Sequence, residues 1–231
     1  MKLFRNLPIV LVLLLASCAS ETTKPQTKQQ PPLTANDTPQ HAVERFIGAY
    51  EQKKVSEYAN LFTGDFTYEF SNSTDPDLVT KYSTGWFTPD ETASSAHLFQ
   101  GYTPQGQPFA QAASSINIDF ANTLPIDDSD GGIDPATHKY LFTRVDGLIV
   151  IPPSSGSQDP INYLIENNTN TFYLVRGDQA SSLTASQPAD STHWYIYRWA
   201  DVTAVSASPI HTELPLPAQP ATWGRLKALY R

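Results

Sequence analysis

The chain has 231 residues, with 15 basic and 23 acidic side chains, a formal net charge of −8 and a single cysteine. A surface this acidic repels phosphate backbones, which argues against nucleic acid as a partner. One thiol excludes an internal disulfide, so stability has to come from packing. Aromatic residues make up 11% of the sequence and cluster after residue 46, enough to fill one core of ordinary domain size.

The opening Met1-Lys2-Leu3-Phe4-Arg5 is basic, and an apolar run follows from Leu7 to Ala16, broken only by Pro8. These are the two parts of a secretory signal peptide, too short to span a bilayer. Leu15-Ala16-Ser17-Cys18 follows at once and resembles the lipobox of bacterial lipoproteins. The resemblance implies cleavage before Cys18, a diacylglyceryl group on its thiol and an acyl chain, such as palmitate, on the new amine. Two or three chains anchor stably where one does not, because each buried methylene contributes about 0.8 kcal/mol. Ala19 stands where that family carries Asp as its inner-membrane retention signal. The expected location is therefore the cell envelope, at the outer membrane where the cell has one. Removing residues 1–17 takes away Lys2 and Arg5, leaving 13 basic and 23 acidic residues and a net charge of −10.

From Cys18 to Thr38 the chain is polar, with Pro25, Pro31 and Pro32 and one large apolar residue, Leu33. Such a stretch cannot bury enough surface to offset ordering and reads as a tether. About 20 residues at 5–6 Å × √n span roughly 25 Å on average.

The folded part is expected over 39–205. Thr38-Pro39 is a helix start, cap then proline, and Val43, Phe46, Ile47 and Tyr50 recur at helical spacing up to the charged Glu51-Gln52-Lys53-Lys54. A second short helix from about Ser56 carries Tyr58, Leu61 and Phe62 and ends at Gly64-Asp65, and Phe66–Phe70 alternates as a strand. Thr88-Pro89-Asp90-Glu91 opens a third helix running to about Phe99. Strands follow at Ser115–Phe120, Lys139–Ile151, Asn162–Val175 with a turn near Glu166–Asn170, and His193–Val202. Residues 206–231 form a Pro-rich tail whose last stretch reads as a short helix docking through Trp223, Leu226 and Leu229.

Helices followed by a run of long antiparallel strands is an α+β plan, with helices packed against a strongly curved antiparallel sheet. Ala42 to Phe70, with Tyr58, Leu61, Phe62, Asp65, Phe66, Tyr68 and Phe70 at their spacing, looks like the opening of nuclear-transport-factor-like (SnoaL-like) cone domains. Trp194, Ile196, Trp199 and Asp201 resemble their last strand. Trp223-Gly224-Arg225-Leu226-Lys227 is similar to the tails of uncharacterised lipoproteins that carry such domains. The resemblance implies a cone with a pocket at its open end, for which Tyr68, Phe70, Trp86, His97, Phe142 and Trp194 are the candidate lining residues. It implies no particular reaction.

Enzymes of that superfamily use a carboxylate pointing into the cone. Of the strand carboxylates, Asp119 alternates with Ile118 and Phe120 and faces away from the apolar side, and Glu69 has the same problem between Tyr68 and Phe70. His97, near Phe99, reads as a packing residue. The acidic run Asp127–Asp134 fails as a calcium loop: aligned on Gly131, its first ligand falls on Ile126 and its twelfth on Thr137. His41, His97, His138, His193 and His211 lack zinc spacing, and no metal or cofactor is implied. In the run from Trp194 to Trp199, Tyr195 and Tyr197 fall on the face opposite the core and are candidates for an interface. The reading is a lipid-anchored envelope protein with a non-catalytic domain that binds a small apolar ligand or a partner, including a homodimer through the sheet. The alternatives are an isomerase or cyclase with a carboxylate in the cone, and a structural tether for a partner protein.

Overall fold

The computed structural model describes residues 31–105, 109–127, 133–153, 159–203 and 218–231, with the side chains of 122–125 also left out. The signal segment, Cys18, most of the tether, Asp128–Gly132 of the acidic run and residues 204–217 lie outside the described residues.

Five α-helices are described. Helix α1, Pro39–Glu51, starts where the sequence places it: Thr38 caps it by accepting from the His41 N–H at 3.1 Å, and its buried stripe is Ala42, Val43, Phe46, Ala49 and Tyr50. Helix α2, Val55–Ala59, is a single turn that buries Tyr58. Phe62, Gly64 and Asp65, expected to finish that helix, belong instead to strand β1, Phe62–Glu69. Asp75-Pro76 opens a helix the pattern did not reveal, α3, Pro76–Lys81, too short to show a periodic stripe. Helix α4, Thr88–Gln100, has Asp90 accepting from the Phe87 N–H at 3.1 Å and buries Glu91, Ser94, Ser95, Leu98 and Phe99. Its inner stripe is largely polar, so this helix, found where the sequence places it, shows by its start at Thr88-Pro89-Asp90-Glu91 and not by a hydrophobic pattern. Helix α5, Trp223–Leu229, is capped by Thr222, which accepts from the Arg225 N–H.

The other strands are β2, Trp86–Phe87; β3, Ser115–Asp127; β4, His138–Ile151; β5, Ile161–Arg176; β6, Trp194–Asp201; and β7, Ala218–Pro220. They form one sheet in the order β2-β1-β6-β5-β4-β3, with β7 beside the start of β5. The α+β plan is as expected. The sheet is mixed rather than wholly antiparallel, because β1 runs parallel to β6 and β7 parallel to β5. Those strands are joined by no hairpin, and alternation along a strand carries no information about direction.

The turn expected near Glu166–Asn170 is a bulge inside a continuous β5. Val145 pairs with Asn168 and Gly147 with Ile165, so three steps of β5 face two of β4. Asn167 takes the left-handed φ of 51° and donates its N–H to Asp146 Oδ1 at 2.7 Å. Further irregularities separate β1 from β6, β3 from β4 and β5 from β6. Bulges of this kind bend strands, and here they curve the sheet around α1, which packs on β3, β4 and β6.

Candidate functional site

The concave side of the sheet is filled with rings. Phe46 of α1 lies 5.3 Å from Phe172, 5.1 Å from Trp199 and 5.3 Å from Tyr58, centroid to centroid. Trp223 of α5 is fully buried between Tyr50 of α1, at 5.0 Å, and Trp199 of β6, at 5.6 Å. Leu226 is fully buried as well, whereas Leu229, the third residue expected to dock, is 53% exposed.

Amid these rings sits one carboxylate with a full set of partners. Glu91, 0% exposed, accepts from Trp86 Nε1 at 3.0 Å, from the Tyr58 hydroxyl, from Ser95 at 3.5 Å and from the ammonium of Lys227. Lys227 is equally buried, and its Nζ lies 4.0 Å from the Trp199 ring centre and 4.6 Å from that of Tyr68. Burial pushes the Lys227 ammonium down to about 8, opposed by the charge of Glu91. Burial, with Glu91 second, holds the Tyr50 and Tyr58 phenols well above their usual value. Burial, then Asp201, does the same for Tyr68. A carboxylate bonded at both oxygens, next to its own counter-ion and sealed from solvent, is not a base within reach of a substrate.

The six candidate lining residues divide. Tyr68 and Trp86 belong to the surroundings of Lys227 and Glu91, and half-buried Phe70 meets both, at 4.9 and 5.5 Å. His97 faces another way: its Nδ1 is 2.7 Å from the Tyr230 carbonyl oxygen and its ring stacks on Tyr102 at 4.0 Å. Trp194 is at the far end of β6, its N–H donating to the Asn36 carbonyl. Phe142 is 49% exposed, on the convex face. Asp119 and Glu69 are exposed, as alternation requires, and Glu69 pairs with Arg198. Among the described residues no group of three or more His, Cys, Asp or Glu is arranged to hold a metal ion.

Sequence reasoning missed Glu91 and Lys227. Glu91 lies in the first turn of α4, where an acid reads as a helix-end charge. Lys227 lies four residues after Trp223 and one after Leu226, on the buried stripe of α5, and that spacing was the signal available.

Two further surfaces frame the site. A cleft of about 630 Å³ between α3, β7 and α5 is lined by Leu78, Tyr163, Pro220, Arg225 and Leu229, among others. Its polar wall is closed on itself, since Arg225 donates to Asp75 at 2.9 Å and to Asp77 at 2.7 Å, while Thr222 donates to Asp75 at 2.6 Å. Across the convex face, successive strands align Phe87, Thr67, Arg198, Tyr173, Tyr140 and Ile126 as register partners. Tyr173 is 6.0 Å from Tyr140 and 6.2 Å from Tyr197, with the Arg198 guanidinium 4.6 Å over its ring. Phe87 and Ile126 at its two ends are exposed, as are Phe142 and, farther along β4, Leu148. Of the two tyrosines expected on this face, Tyr197 is half-buried in the row. Tyr195 is buried, and its hydroxyl donates to the Pro188 carbonyl.

No protein-family model and no curated protein matches the chain. Solved structures similar to it include the Kfla4162 protein from Kribbella flavida, at 14% identity and TM-score 0.43 over 70% of this chain and 84% of that one. An NTF2-like protein of unknown function in nutrient uptake from Rhodospirillum rubrum matches at 9% identity and TM-score 0.40, over 71% and 96%. A ketosteroid isomerase-like protein from Erwinia carotovora atroseptica matches at 9% and 0.39, over 73% and 92%.

Proposed function

We propose that the chain is an envelope lipoprotein, anchored by lipid on Cys18, whose α+β domain is a non-catalytic module that engages a folded protein partner through the convex face of its sheet. The observation that carries the non-catalytic reading is the filled interior: the space a substrate needs is taken by aromatic rings, and Glu91 is already neutralised by Lys227. What supports a protein partner is the composition of the convex face, where tyrosine, phenylalanine and arginine lie exposed or half-buried together, the residue types that dominate interface centres. The Leu15-Ala16-Ser17-Cys18 motif is what supports attachment through lipid; among the described residues no helix is long and apolar enough to cross a membrane.

Two experiments test this reading. Cys18→Ser moves the protein from the membrane to the soluble fraction; a variant that stays with the membrane rejects the anchor. A photo-crosslinking residue at Phe142 forms one defined adduct with an envelope protein, while the same residue at exposed Glu44 of α1 does not. Equal labelling at both positions, or none at Phe142, rejects the convex face, and an adduct with a second copy of the chain replaces the foreign partner by a homodimer.

A further inference from the structure

Helix α5 fills the interior of the domain rather than lying on it. Trp223 and Leu226 are fully buried, and the stem of Lys227 carries its ammonium into a box made by the Glu91 carboxylate and the faces of Tyr68 and Trp199. Lys227 is the one buried cation among the described residues, against three buried carboxylates, Glu91, Asp75 and Asp201. A carboxylate flanked by electron-rich ring faces is the chemistry that recognises organic ammonium ions, because the ring quadrupole and the anion attract the same charge and the stem packs on apolar surface.

The fit of α5 is incomplete in one respect. The Tyr68 hydroxyl and the Trp223 indole N–H are both buried and find no hydrogen-bond partner among the described residues. Buried donors left unpaired oppose the seated state, and both would be satisfied if α5 withdrew and solvent or a ligand took its place. Besides the buried bonds of Lys227 to Glu91 and of Arg225 to Asp75, the ties of α5 and the residues just after it include solvent-facing ion pairs, Arg225 with Asp77 and Arg231 with Asp90, which water replaces at small cost. A helix of seven residues is also too short to be stable once detached, so release converts it to a solvated strand of chain.

We propose that the interior is a binding site for an organic ammonium ion with an apolar body, and that α5 holds it shut by seating its own Lys227 there. This goes beyond the convex-face reading and does not depend on it. A tethered occupant acts at an effective concentration on the order of millimolar, so a ligand has to compete with it.

The test uses the whole mature chain and n-butylammonium, with n-butanol as the uncharged control. In the wild-type protein, excess n-butylammonium speeds amide hydrogen exchange at residues 223–230 by roughly ten-fold or more while β4 and β5 are unaffected, as local opening of one unit requires. n-Butanol leaves the exchange unchanged. In Lys227→Ala, n-butylammonium raises Tm saturably at concentrations about ten-fold lower than those that open the wild type, since no side chain competes. Adding Glu91→Gln removes that response. Exchange of α5 that ignores the amine, or that responds equally to n-butanol, overturns the proposal, and the wild-type measurement decides even where Lys227→Ala does not fold. Loss of the crosslink at Phe142 with this response intact would reject only the convex-face reading.

Discussion

The two faces of the sheet are built from alternate residues of the same strands, yet they handle polarity in opposite ways. On β4 the concave side presents Leu141, Thr143, Val145 and Ile149, all buried; the convex side presents Tyr140, Phe142, Arg144 and Leu148, none of them buried. Inside, most polar groups have protein partners: Thr143 donates to the Ala121 carbonyl, Asn170 accepts from Trp199 Nε1, and Glu91 has its four donors. Outside, large apolar side chains stay in water. The concave side of β4 is therefore packed against the core, while its convex side leaves large side chains in solvent. Exposed apolar side chains on that face are what the proposed partner surface rests on.

The largest test of that contrast is Glu91→Gln, which leaves a buried ammonium without its counter-charge. It should lower unfolding stability by about 3–5 kcal/mol in urea titration. Pairing it with Lys227→Met should restore most of the loss, because removing both charges removes the desolvation cost with them. A Glu91→Gln variant as stable as the wild type would show that the buried pair contributes nothing to the interior.

Next come neighbours on one strand. Leu141→Ala, at 0% exposure, should cost about 2–5 kcal/mol, by lost burial and the cavity left behind. One residue on, Phe142→Ala should change stability by no more than about 0.5 kcal/mol and lower partner affinity instead. Similar losses at the two positions would erase the distinction between the faces.

A smaller effect is expected with pH. Buried Tyr50, Tyr58 and Tyr68 have folded-state values raised above the unfolded 10.0, so the stability they contribute is whole below pH 10 and is lost as pH rises toward those values. Lys227, lowered to about 8 from 10.5, acts in the opposite sense between those two values. Tm should therefore decline clearly only above pH 10.5, and Tyr58→Phe should make that decline shallower. A Tm that is flat to pH 12 would mean that the phenols are not held protonated by the fold.

Much of the architecture was legible along the chain. Thr38-Pro39 marks the start of α1 because a cap and a proline satisfy local backbone needs, and the strands of β4, β5 and β6 announce themselves by β-branched and aromatic runs. The exposure of Asp119 and Glu69 followed from alternation alone. The bulge at Asn167 was read as a turn, since polar Glu166-Asn167-Asn168 has the composition of one, and only pairing with β4 keeps the strand going. The lining set failed in part for the same reason. Phe142 is apolar but lies on the wrong side of a strand whose two faces both carry large residues.

What the sequence determines by itself, then, is what depends on neighbours in the chain: the capped helices, the alternating strands, the acidic charge and the lone cysteine beside an apolar run. The interior was decided by tertiary structure. Glu91 and Lys227 are 136 residues apart, and each alone reads as an ordinary surface charge. Burial of both is favourable only when α5 returns to the concave face and each charge meets the other. No local pattern encodes that meeting, because its free energy belongs to the pair.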